Sequence, residues 1–152
     1  MKKIINGKSV GKFTIKDLFS QHEKELFLYE CIKGNKFDIY IKKDSKTNLE
    51  ILRLSFKNEP RRLCHIAVCE EDKEHKFLGK IGIGSTMSEV EKIAGPYYDD
   101  EDLDAMVLEN YPGMAFELGE RDEWPDDYWD EKEAPIITIG IFDPDFYLID
   151  EE

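Results

Sequence analysis

The chain has 152 residues, enough for one domain, and its 41% hydrophobic and 12% aromatic content supplies a core despite 36% charged residues, which excludes a wholly disordered chain. Its formal charge of −13 is unevenly spread: residues 1–96 hold 19 of the 21 Lys and Arg and 14 of the 34 Asp and Glu, a net of +5, while residues 97–152 hold 2 and 20, a net of −18. An anionic surface of that density repels nucleic acid and anionic membrane, so the C-terminal third is expected to contact neither and to draw in a cationic protein surface instead.

The basic start Met1-Lys2-Lys3 is followed by only two apolar residues, so no export signal is expected. Ile15, Leu18, Phe19 and His22 recur at helical spacing and predict a first helix over Ile15–Glu25, with Thr14 as its N-cap and Asp17 in its first turn. From Leu26 to Ile83 the pattern turns to strands: Leu26–Lys33, Phe37–Lys43, Leu49–Phe56, Arg62–Cys69 and Phe77–Ile83 are rich in aromatic and β-branched residues. The turns between them, Gly34-Asn35, Asp44 to Asn48, Asn58-Glu59-Pro60 and Glu70 to His75, are short, which predicts an antiparallel meander.

Thr86-Met87-Ser88-Glu89 reads as a capping box and Gly95-Pro96 as a stop, which bounds a second helix at Met87–Ala94. An acidic, aromatic segment follows, then strands Ala105–Glu109 and Met114–Leu118 joined through a type II turn at Tyr111-Pro112-Gly113. A second acidic stretch, Gly119 to Glu133, leads to a last strand at Ile136–Phe142. The expected fold class is α+β, one domain over 1–152 divisible into sub-modules 1–78 and 79–152: an N-terminal helix, an antiparallel β-meander, a short capped helix, and a C-terminal β-hairpin plus strand.

Several motifs reduce to plain structure. Gly79, Gly82 and Gly84 before the second helix lack the Lys and the spacing of a phosphate loop. Cys64 and His65 point to opposite faces of one strand and cannot converge on zinc with Cys69 and His75. Asp100, Asp102 and Asp104 resemble the start of a calcium loop, but Ala105 stands where glycine is needed and Tyr111 where glutamate is. No catalytic group, metal or cofactor is expected. Cys31, Cys64 and Cys69 are odd in number, which suits a reducing cytoplasm.

The remaining constellation is carboxylates interleaved with aromatics: Tyr97, Tyr98, Asp99, Asp100, Glu101, Asp102, Asp104 and Tyr111, then Asp122, Glu123, Trp124, Asp126, Asp127, Tyr128, Trp129, Asp130 and Glu131. Trp and Tyr anchor protein interfaces and carboxylates steer a cationic partner, so these residues form the predicted partner-binding surface. Residues 84–96, GSTMSEVEKIAGP, followed by a hairpin and a strand, resemble the helix-plus-sheet module of BamE and β-lactamase inhibitory protein over roughly residues 80–142. That resemblance implies a scaffold presenting a sheet face and loops to another protein. In general character the chain also resembles bacterial toxin-immunity proteins, which implies a cytoplasmic monomer or weak homodimer occluding a basic toxin domain, a nuclease for example. The alternatives are a DNA-mimic regulator of a DNA-binding protein and a small carboxylate-based, metal-dependent hydrolase.

Overall fold

Residues Lys3 to Thr14 turn back twice on themselves instead of leading into a helix. The structure, a computed structural model, describes residues 2–58 and 61–145. Glu59 and Pro60 of the predicted Asn58-Glu59-Pro60 turn lie outside them. Strands β1 (Lys3–Ile5), β2 (Ser9–Val10) and β3 (Phe13–Thr14) pair antiparallel, and β8 (Lys76–Phe77) joins β1 in parallel, giving a four-stranded sheet of order β3-β2-β1-β8.

The second sheet has eight strands. It contains β4 (Glu30–Lys33), β5 (Phe37–Lys43), β6 (Glu50–Lys57), β7 (Leu63–Val68), β9 (Tyr97–Asp100), β10 (Ala105–Leu108), β11 (Tyr111–Leu118) and β12 (Ile136–Phe142), in the order β4-β5-β6-β7-β12-β11-β10-β9. Every ladder in it is antiparallel. Two meanders, one from each half of the chain, are thus fused by the β7–β12 ladder, with Val68 opposite Ile139 and His65 opposite Phe142.

The expectation of an α+β protein with an N-terminal helix is overturned: the fold is mostly β. The helical elements among the described residues are a 3-10 turn at Phe19–Gln21, the single turn α1 (Glu23–Leu26) and α2 (Met87–Ala94), with two further helical residues at 144–145. The segment read as the first helix is held laterally instead. Ile15 N–H donates to Lys8 O (2.7 Å), Lys16 N–H to Leu63 O (2.7 Å), and Leu63 N–H to Asp17 O (2.8 Å). Lys16 has φ +79°, which no right-handed helix admits. Asp17 Oδ2 accepts the Thr14 N–H at 3.0 Å, so the acid serves the threonine backbone, not the reverse. Apolar residues three and four apart satisfy a tight turn against β7 as well as they satisfy a helix, and the backbone pairing decides between them.

Two smaller differences have equally local causes. The predicted strand Leu26–Lys33 shortens to β4 because α1 occupies its start, and Phe77–Ile83 folds back as a turn, with Ile81 N–H donating to Phe77 O (3.0 Å). The hairpin turn is Glu109-Asn110, and Pro112-Gly113 lies inside β11. There Gly113 has φ +83°, and a Cβ would stand 2.5 Å from both Gly7 Cα and Phe142 O. That close approach lets Gly7 N–H donate to Gly113 O (3.0 Å) and ties the β1–β2 turn to β11.

In an antiparallel ladder opposed residues share a face. One face of the large sheet carries Leu52, Leu54, Phe56, Ile66, Val68, Ile139, Ile141, Met114, Phe116, Met106 and Leu108, all buried. Met87 and Val90 of α2, with Ile4, Val10, Phe13 and Phe77 of the small sheet, complete that core. Each such side chain contributes on the order of 1.5–3 kcal/mol when fully buried. The other face is the open one.

Candidate functional site

The acidic surface is built outward from α2. Glu89 N–H donates to Thr86 Oγ1 (3.2 Å) and Thr86 N–H donates to Glu89 Oε1 (3.1 Å), closing the predicted capping box. Gly95 at φ +93° ends the helix and Pro96 starts the chain into β9, the end strand of the large sheet. Tyr97 lies opposite Leu108 and Asp99 opposite Met106, on the core face; Tyr98 lies opposite Val107 and Asp100 opposite Ala105, on the open face. Asp100 Oδ1 then accepts the N–H groups of Asp102 (3.0 Å) and Leu103 (3.2 Å), which shapes the turn carrying Glu101, Asp102 and Asp104.

The 119–135 stretch is a folded loop clamped to this edge. Trp129 Nε1–H donates to Gly119 O (3.0 Å) and Arg121 Nε–H to Glu133 O (2.9 Å), closing its two ends. Ser88 N–H donates to Lys132 O (3.1 Å), and Lys132 Nζ reaches Glu91 Oε1 (3.1 Å), both on α2. Tyr97 O–H donates to Glu131 Oε2 (2.8 Å), while Lys132 Nζ sits 5.1 Å from the Tyr97 ring centroid. Burial, then the hydrogen bond to Glu131, raises the Tyr97 phenol above its usual value. Arg121 and Lys132, the two cations of the C-terminal third, are therefore both spent on holding the loop.

These contacts bring most of the predicted residues together. Trp129 and Tyr128 remain 47% and 46% exposed, and Tyr98 50%. Trp124 is half-buried and packs edge-on against Tyr128, with ring centroids 5.2 Å apart. Asp99, Glu101, Asp102, Asp104, Asp122, Glu123, Asp126 and Asp127 are exposed, and Asp100, Asp130 and Glu131 half-buried. Asp99, Asp104 and Trp129 line a common cleft of about 410 Å³ with Phe116, Leu118 and Ile137. Tyr111 stands apart from this surface: its ring packs edge-on against Phe77 (5.1 Å) at the seam between the two sheets.

The open face holds a larger cavity of about 640 Å³, to which sequence reasoning gave no role. Its floor is small, Ala67, Ala105, Ala115 and Gly140, and its walls include Glu50, Arg53, His65, Cys69, Glu117 and Phe142. Glu50 takes the Arg53 guanidinium through two bonds, one from Nε and one from Nη2 (3.0 Å). His65 stacks on Phe142 at 8° between ring planes, and burial pushes its pKa down to about 4. Burial, then the Glu50 charge, pushes the Cys69 thiol up to about 11, so it is protonated at neutral pH. Each of these small residues comes from a different strand, so no local pattern marks them, and the strand register alone brings the four onto one face.

Among the described residues no three His, Cys, Asp or Glu side chains converge as metal ligands would, and no helix is long and apolar enough to cross a membrane. No protein-family model, curated protein or solved structure matches the chain.

Proposed function

We propose that this chain is a non-enzymatic binding protein that neutralises a basic protein partner by covering it, and that its contact surface is the β9 edge with the 119–135 loop. The observation that carries the proposal is the placement of three half-exposed rings among carboxylates, Tyr98 on the β9–β10 ladder and Tyr128 and Trp129 on a loop bonded to the Gly119 carbonyl and to the Ser88 N–H of α2. Large rings held before binding lose little entropy on docking, and the surrounding carboxylates speed encounter with a cationic surface. The partner class this suits best is a toxin domain, a nuclease whose phosphate-binding Lys and Arg the carboxylates would cover. On this reading the chain is a cytoplasmic immunity protein.

The test is capture of partners from the native cell lysate by the tagged protein, with washes at low and high salt. A basic protein retained at low salt, released at high salt, and lost when Tyr98, Tyr128 and Trp129 are changed to Ala supports the proposal. Retention unaffected by the triple substitution places the contact elsewhere and overturns it.

A further inference from the structure

The two end strands of the large sheet differ in character. At β9 the edge is crowded with carboxylates. At β4 all four residues, Glu30, Cys31, Ile32 and Lys33, are exposed, and the strand ends the sheet. Its two charges are already matched within the chain: Lys43 Nζ lies 2.8 Å from Glu30 Oε2, and Lys33 Nζ 3.2 Å from Asp38 Oδ2, both partners on β5. The edge is thus electrically balanced. Immediately before it Phe27 is 87% and Leu28 84% exposed, and Ile32 within it 46%. A short run of unpaired strand backbone flanked by large exposed apolar side chains is what strand addition needs, and among the described residues no further strand pairs with β4 and no line of like charges runs along it.

We propose that β4 is a self-association edge, at which two copies of this chain pair β4 with β4 antiparallel about a twofold axis and extend two eight-stranded sheets into one. The occupant is a second copy because a strand whose two charges are matched within its own chain can meet its copy without opposing like charges. A twofold axis normal to the sheet keeps each face on its own side, so opposed residues must come from the same face. Registers that set Glu30 against its own copy, or Lys33 against its own copy, oppose like charges. The two registers between them set Cys31 or Ile32 against its own copy, and the first brings Leu28 and Phe27 level with the neighbour's Gly34 and Asn35. A ladder of four residues with these side chains is a small interface, so the dimer is weak, with Kd in a range of roughly 10 µM to 1 mM. Pairing at β4 leaves the acidic β9 edge of each copy free at the far ends.

The experiment is sedimentation velocity of the whole chain under reducing conditions across about 5 µM to 1 mM, on wild type and on Ile32→Lys, Phe27→Ser and Trp129→Ala. The expected result is a concentration-dependent dimer in wild type and Trp129→Ala, weakened at least tenfold in Ile32→Lys and Phe27→Ser. Matching melting curves will show that those two variants are folded, as their exposure predicts. In parallel a short bis-maleimide should join wild-type chains through Cys31, the exposed thiol, and fail with Cys31→Ser. A monomer throughout the range overturns the proposal, as does a dimer indifferent to Ile32→Lys and Phe27→Ser. A dimer lost in Trp129→Ala places self-association at the other edge and overturns it too.

Discussion

Two titrating side chains link single residues to the stability of the fold. Burial disfavours the imidazolium of His65, so its pKa falls from the ordinary value to about 4 on folding. Between those two values the unfolded chain binds more protons than the folded one. The His65 contribution is therefore complete above about pH 6.5 and declines as pH falls toward 4, by up to about 3 kcal/mol. Denaturant midpoints of wild type and His65→Gln measured from pH 7 to 4.5 should show a shallower pH slope in the variant; equal slopes would remove His65 as the cause. Asp72 acts in a lower window. Burial alone would raise its carboxyl, but the His75 ring (2.5 Å) and the N–H groups of His75 (2.9 Å) and Glu74 (2.8 Å) outweigh that and hold it below its usual value. Its contribution is present above the unfolded pKa and is lost as pH falls through the folded one. Gly113 makes a steric case at the same scale. Alanine there meets backbone on two sides at φ +83°, so Gly113→Ala should lower stability by about 2 kcal/mol or more, measured by thermal or denaturant unfolding.

At the scale of elements, the helix α2 is where local chemistry and structure agree most fully. Its predicted bounds, Met87 to Ala94, are the observed ones, because Thr86, Glu89 and Gly95 act on backbone groups within their own turn. Thr86→Ala and Glu89→Ala should each lower stability by about 1 kcal/mol, and the pair by less than the sum, since both hold the same cap. The segment at 15–25 shows the opposite case: its apolar spacing is helical, yet Leu63, Arg61 and Lys8 take its backbone groups and leave one 3-10 turn and α1. Strand β9 was legible only as an acidic, aromatic segment, for Tyr97-Tyr98-Asp99-Asp100 has no alternation to mark it. It becomes a strand because β10 presents an unpaired edge to it.

For the whole molecule, the β7–β12 ladder has the largest consequence, since it merges the two halves of the chain into one sheet and one core. Phe116 and Leu54, fully buried on either side of that ladder, should cost about 2–5 kcal/mol each as alanine variants, with one cooperative unfolding transition by both far-UV and near-UV circular dichroism. The charge division along the chain maps onto space through the same topology: the balanced edge β4 belongs to the N-terminal half and the acidic edge β9 to the C-terminal half. Association with a basic partner should slow as salt rises while dissociation changes less, because steering acts over the Debye length and close contact does not. Stopped-flow association at two ionic strengths checks this.

The sequence by itself determined the features whose causes lie within a few residues or in the sum of charges. These are strands β5, β6, β7, β10 and β12 by their apolar and β-branched runs between polar turns, with alternation in β5 and β6 only, α2 by its caps, and the acid-rich C-terminal third by composition. Tertiary structure decided whatever depends on which backbone groups find partners across the chain. Lys16 and Asp17 bond to Leu63 in place of a helix, β12 inserts between β7 and β11, and the register of five strands gathers Arg53, His65, Ala105, Ala115 and Thr138 around one cavity. Hydrogen bonds between residues tens of positions apart leave no local pattern in the side chains, so only the folded arrangement reveals them.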